Sequence, residues 1–103
     1  MKLLTKELRK KLPPLNTNGN KKTQDIKVIV KFFDPCGSWT WYATEFDPET
    51  GIFFGYIRGM ENELGYFSLR ELEEYRGKPL GLGIERDMYF GDHTLAEVMA
   101  ERL

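Results

Sequence analysis

A chain of 103 residues, 41% apolar and 30% charged, is expected to form one small α+β domain, residues 1–103, around a single core. Its lone cysteine, Cys36, excludes an internal disulfide framework, and no apolar run approaches the roughly 18 residues that a membrane span needs. The net charge of −1 conceals a split: nine basic against two acidic residues through Lys31, giving +7, and six against fourteen from Phe32 onward, giving −8.

Taken in order, residues 5–12 read as a first helix, with Thr5 as N-cap, Leu8 and Leu12 on one face, and Pro13-Pro14 as the stop. Residues 16–22, NTNGNKK, form a polar, turn-rich loop. Residues 26–33, IKVIVKFF, alternate as one half-buried strand, with Ile26, Val28, Val30 and Phe32 facing the same way. Residues 39–46 and 52–59 then make an aromatic hairpin on the turn Asp47-Pro48-Glu49-Thr50-Gly51, where Pro48 presets φ and Gly51 supplies a positive one. Gly55 in the return strand is expected to let a large ring, Trp41 or Tyr42, lie across the backbone.

A short fourth strand follows over residues 64–67. Ser68-Leu69-Arg70-Glu71 then matches a capping box and opens a helix through Arg76, with Leu69, Leu72 and Tyr75 inward and Gly77 closing it. Residues 81–90 read as an irregular return, and a second box, Thr94-Leu95-Ala96-Glu97, opens the last helix on Leu95, Val98 and Met99. The predicted fold is an antiparallel four-stranded meander sheet packed with an N-terminal helix and two C-terminal helices.

No catalytic, metal or nucleotide constellation can be built from these residues, so they do not fix a function by themselves. His93 is the sole imidazole and sits at a helix start, so neither a histidine metal site nor a catalytic triad is expected, and no cofactor is implied. Cys36 lies in a turn far along the chain from His93 and reads as an incidental thiol. The glycines from Gly77 to Gly83 follow a helix instead of preceding one, unlike a phosphate loop. Glu45, within a strand, is expected to pair with Arg58 on its neighbour. Arg86, between Glu85 and Asp87, is expected to staple a loop to the sheet.

Two partner classes stay open on residues alone. The basic first third, through Lys21, Lys22, Lys27 and Lys31, fits a nucleic-acid footprint. Alternatively, Glu45, Asp47, Glu49, Glu61 and Glu63 form an acidic edge presented to a protein that normally handles phosphates. Trp39, Trp41 and Tyr56 are the candidate aromatic anchors, with core packing as the competing role for each.

The phrases MKLLTKELRKKLPP, VKFFDP, WTWYATEFDPETGIFFGYIRG, ELGYFSLRELEEYRG and IERDMYF resemble, over nearly the whole chain, one bacterial family of unknown function carried on plasmids, integrative elements and phages. Within it the chain is similar to a type II-A anti-CRISPR branch, which inhibits an RNA-guided DNA nuclease. The resemblance implies a non-enzymatic protein of a bacterial host cell, with the CRISPR effector or its guide and DNA complex as partner, and the cytoplasm is the location expected from the lack of a signal-peptide core and of a membrane span. It carries no catalytic residues over to this chain. The alternative is a nucleic-acid-binding accessory protein of mobile genetic elements.

Overall fold

The computed structural model describes residues 2–101. Helix α1, Lys6–Lys11, begins where the Thr5 hydroxyl accepts the Leu8 amide at 3.2 Å, and it ends at Leu12 ahead of the two prolines. A 3-10 turn, Thr23–Asp25, leads into β1 (Lys27–Val28), β2 (Val30–Phe33), β3 (Thr40–Asp47), β4 (Ile52–Arg58) and β5 (Asn62–Ser68). Helix α2 (Leu69–Glu74), β6 (Glu85–Arg86), β7 (His93–Thr94) and α3 (Leu95–Met99) complete the order. The main sheet runs β5-β4-β3-β2-β6, antiparallel throughout, while β1 pairs with β7.

This sheet has five strands instead of the expected four. The extra one comes from the return segment, where Glu85 and Arg86 pair with Phe33 and Phe32. Residues 26–33 are also not one strand: the run breaks at Ile29, whose amide donates to the Ala43 carbonyl at 2.9 Å. Ahead of the break β1 pairs with β7, so His93 and Thr94 are strand residues as well as the approach to α3.

The hairpin forms as predicted. Asp47 binds the turn through its carboxylate, which accepts the Glu49 amide at 3.0 Å and the Thr50 hydroxyl at 2.9 Å, and Gly51 has φ of 73°. A bulge lies between Ala43 and Glu45, inserting Thr44 against a regular partner strand. There the backbones crowd: a Cβ at Gly55 would meet the Tyr42 carbonyl oxygen at 1.8 Å. Gly55 therefore accommodates backbone, not a ring. The ring is accommodated at Gly59, where a Cβ would meet the Trp39 indole at 2.3 Å.

Strand parity places two apolar clusters on opposite faces. One face gathers Val30, Phe32, Ala43, Phe46, Phe53, Ile57 and Phe67 under Leu3, Leu4, Leu12, Leu69, Leu72 and Ile84. Phe53 sits at its centre, 5.5, 4.5 and 5.1 Å from the Phe32, Phe46 and Phe67 rings. The other gathers Tyr42 and Tyr56 with Ile26, Val28, Leu95 and Val98. Arg86 fastens the chain's start, its guanidinium donating to the carbonyls of Lys2 at 2.6 Å and Leu3 at 3.1 Å.

The second helix is shorter than expected. It stops at Glu74, where the Arg76 guanidinium takes the Glu73 and Tyr75 carbonyls, at 2.9 and 2.6 Å. Gly77 pairs with Leu82 instead of closing the helix, while Tyr75 is exposed instead of inward. The capping box at Thr94 is complete, whereas at Ser68 only half forms: Ser68 accepts the Glu71 amide at 3.3 Å. The Glu71 carboxylate is left for other use.

Candidate functional site

Trp39, immediately before β3, is 40% exposed and lies flat on Gly59. Its ring stacks on Trp41, half-buried in β3, with centroids 6.0 Å apart and planes at 27°. The two indoles form one wall of a cleft of about 420 Å³ between the sheet and α2, closed by Leu72, Tyr75 and the β5 side chains Glu63 and Phe67. Asp34, Glu63 and Glu71 add three carboxylates, and among the described residues no lysine or arginine contributes to the lining.

The acids differ in duty. Asp34 is buried, and one of its oxygens accepts the Cys36 amide at 2.8 Å, which fixes the turn ahead of Trp39. Its hydrogen bond to the Tyr75 side chain raises the phenol's pKa, aided by desolvation and by the charge of Asp34. Glu63 and Glu71 are exposed, and among the described residues neither carboxylate has an ion-pair partner. An aromatic surface rimmed by unpaired carboxylates attracts a planar or ammonium cation.

Of the eight residues predicted for partner contact, the structure brings Trp39, Trp41 and Glu63 together at this cleft. Glu61 is exposed in the turn before β5, and Glu49 is exposed in the hairpin turn at the opposite end of β4. Asp47 is occupied in holding that turn. Two residues are corrected. Tyr56 is buried against Tyr42, 6.3 Å away, beneath α3, so it is core and not an anchor.

Glu45 is 4% exposed and does not pair with Arg58. Its two oxygens accept the amides of Asn16 at 2.9 Å and Asn18 at 2.7 Å, pinning the polar loop to the sheet. Arg58 instead spans Tyr42 and Tyr56 to reach the Val98 carbonyl at 2.7 Å. The acidic edge is thus shorter than sequence suggested and is centred on Glu61, Glu63 and Glu71.

Asp34 was not singled out by sequence, while Glu71 was read as a capping acid and Tyr75 as a core residue. Their signals were the Asp34-Pro35-Cys36-Gly37 turn and a capping box whose acid has an alternative to capping. Among the basic residues, Lys21, Lys22 and Lys27 are exposed, and Lys21 and Lys27 share a shallow hollow of about 330 Å³ with Lys11. Lys31 is not available in the same way: its ammonium is 3.3 Å from Asp87 and lies over the Tyr42 and Phe90 rings. Among the described residues there is no cluster of three His, Cys, Asp or Glu fit to hold a metal, and no helix is long and apolar enough to cross a membrane.

A family model described as a protein of unknown function (DUF2958) matches residues 3–101, and the chain belongs to that family. No curated protein and no solved structure matches it.

Proposed function

We propose that this member of a family of unknown function is a non-enzymatic inhibitor that acts by binding, and that its target is the RNA-guided DNA nuclease of a type II-A CRISPR system. The observation that carries the binding reading is the indole cleft with Glu63 and Glu71 unpaired at its rim. A nuclease that handles guide RNA and DNA presents a positively charged channel. A partner bearing carboxylates around exposed aromatic anchors complements such a surface, and desolvated rings supply the binding energy that exposed charges do not. The choice of nuclease rests on the likeness of the hairpin and ELGYFSLREL phrases to the anti-CRISPR branch.

Co-expression with a type II-A system, challenged by plasmid or phage, tests this directly. Wild-type protein is expected to protect the invading DNA and to retain the nuclease in a pull-down. A variant carrying Trp39→Ala, Glu63→Lys and Glu71→Lys, shown folded by circular dichroism and melting, is expected to do neither. Absence of protection by the wild type, or full protection by the folded variant, refutes the proposal.

The grouping of Lys11, Lys21 and Lys27 on one hollow favours a second reading, a nucleic-acid-binding accessory protein of mobile genetic elements working through Lys21, Lys22 and Lys27. Lys31 is a weaker contributor because Asp87 already neutralises it. Titration with DNA and RNA at two salt concentrations separates the readings, since phosphate contacts lose affinity steeply as salt rises.

A further inference from the structure

The cleft opens directly onto β5, which is an outer strand of the sheet. Its seven residues contain no proline or lysine to blunt that edge. The pairing with β4 is flanked by the Gly59 amide donating to Glu61 and the Leu69 amide donating to Gly51. Alternation between those two bonds turns the amides and carbonyls of Glu63, Gly65 and Phe67 toward β4. Those of Asn62, Leu64, Tyr66 and Ser68 point away from the sheet. The side chains divide as well: Glu63 and Phe67 line the cleft, while Leu64 and Tyr66, 42% and 61% exposed, lie on the opposite face beside Phe54.

We propose that β5 accepts an extended, arginine-bearing segment of a basic protein partner as a sixth strand, placing one arginine in the indole cleft and the flanking apolar residues against Leu64 and Tyr66. The idea rests on the reading of the cleft as a partner-binding site and adds how the partner is held. Strand addition supplies main-chain hydrogen bonds for affinity, and alternate side chains supply specificity. Here the alternation is charged on one face and apolar on the other. Arginine suits the cleft better than lysine because a planar guanidinium stacks on Trp39 while its fork reaches Glu63 and Glu71. A second copy of this chain is a poorer occupant, since pairing β5 with β5 would set the Glu61 and Glu63 carboxylates of both copies along one seam. Phosphate backbones are repelled by the same acids.

The test uses the full chain and a capped heptapeptide alternating valine and arginine, with tryptophan fluorescence and calorimetry as readouts. Comparison peptides replace arginine by lysine or by glutamate, and a fourth keeps arginine but carries N-methyl groups on alternate backbone amides. The arginine peptide is expected to bind and to perturb tryptophan emission, the lysine peptide to bind more weakly, and the glutamate peptide not to bind. N-methylation is expected to weaken binding by about tenfold or more, because several hydrogen bonds are lost while charge is kept. Equal binding by the N-methylated peptide overturns strand addition but leaves the cleft as a cation site. If no peptide binds up to its solubility limit, the inference is overturned whether or not the protein inhibits the nuclease. Self-association of the chain through β5, seen by sedimentation and abolished by Leu64→Lys, also overturns it.

Discussion

Replacing Glu45 with glutamine is expected to unfasten the loop over residues 16–22 from the sheet. The wild-type carboxylate is 4% exposed and gives one oxygen to each of two backbone amides, Asn16 at 2.9 Å and Asn18 at 2.7 Å. Glutamine keeps the shape but offers one acceptor, and its amino group must face the remaining N–H. A hydrogen bond to a charged group is worth about 1.5–3 kcal/mol, and leaving a buried donor unmet costs a further fraction. Because both bonds hold one loop they do not add fully, and the expected loss is about 2–3 kcal/mol. At about 4–8 °C per kcal/mol for a domain of this size, the melting temperature falls by about 10–20 °C. Asn16 is held at φ of 72°, a left-handed conformation that the pinned loop enforces. Urea unfolding gives the stability change, and hydrogen exchange should show lost protection at Asn16 and Asn18. A change within about 0.5 kcal/mol, the range of an ordinary surface substitution, with unaltered exchange would refute the reasoning. Charge reversal at Glu45 therefore tests folding, and belongs outside any test of charge mimicry.

Two glycines in adjacent strands should respond very differently to alanine. Gly55→Ala drives a Cβ to 1.8 Å from the Tyr42 carbonyl oxygen and is expected to cost about 3 kcal/mol or more by urea unfolding, whereas Gly65→Ala meets only the Ile57 methyl at 3.7 Å and should stay within about 1 kcal/mol. Similar costs at both sites would show that the bulge relaxes freely. Acid should act on Glu97, whose pKa is lowered first by the Thr94 backbone amide, donating at 2.9 Å, and then by the Thr94 hydroxyl. A depressed folded value means that this contribution is complete above the unfolded value, about 4.3, and is lost as pH falls through the folded one. Stability measured from about pH 6 downward should thus fall less steeply in Glu97→Gln than in wild type; parallel curves would contradict the assignment.

Local chemistry wrote much of the fold legibly. Thr5, Ser68 and Thr94 cap helices where sequence placed them, and the hairpin turn from Asp47 to Gly51 forms as read. The short pieces were not legible, because β1, β6 and β7 have two residues each and exist only through their partners. Period-two patterning assigns residues to a face but does not say which stretch of that face a helix will cover. Both faces carry aromatic rings, so the burial of Tyr56 and the exposure of Trp39 were decided by where α2 and α3 settle. Glu45 misled for a related reason. A bulge at Thr44 changes the register locally, and the partners of Glu45 are amides 27 and 29 residues away in sequence.

The grip of Arg86 on the carbonyls of Lys2 and Leu3 bears on how the chain is made. These contacts join positions 84 and 83 residues apart, and Ile84 packs in the same cluster as Leu3 and Leu4. On a ribosome the first residues emerge long before their partners exist. The early segment, with Leu3, Leu4 and Leu8, shares its cluster with the hairpin residues Phe46 and Phe53 but still lacks its ties to Ile84 and Arg86 when the hairpin forms. Closing this seam then waits for the ninth decade of the chain to leave the exit tunnel. Contacts of such separation slow folding through the entropy of closing a long loop. Nascent chains arrested before residue 84 therefore lack the Ile84 and Arg86 contacts that complete the cover of their early leucines.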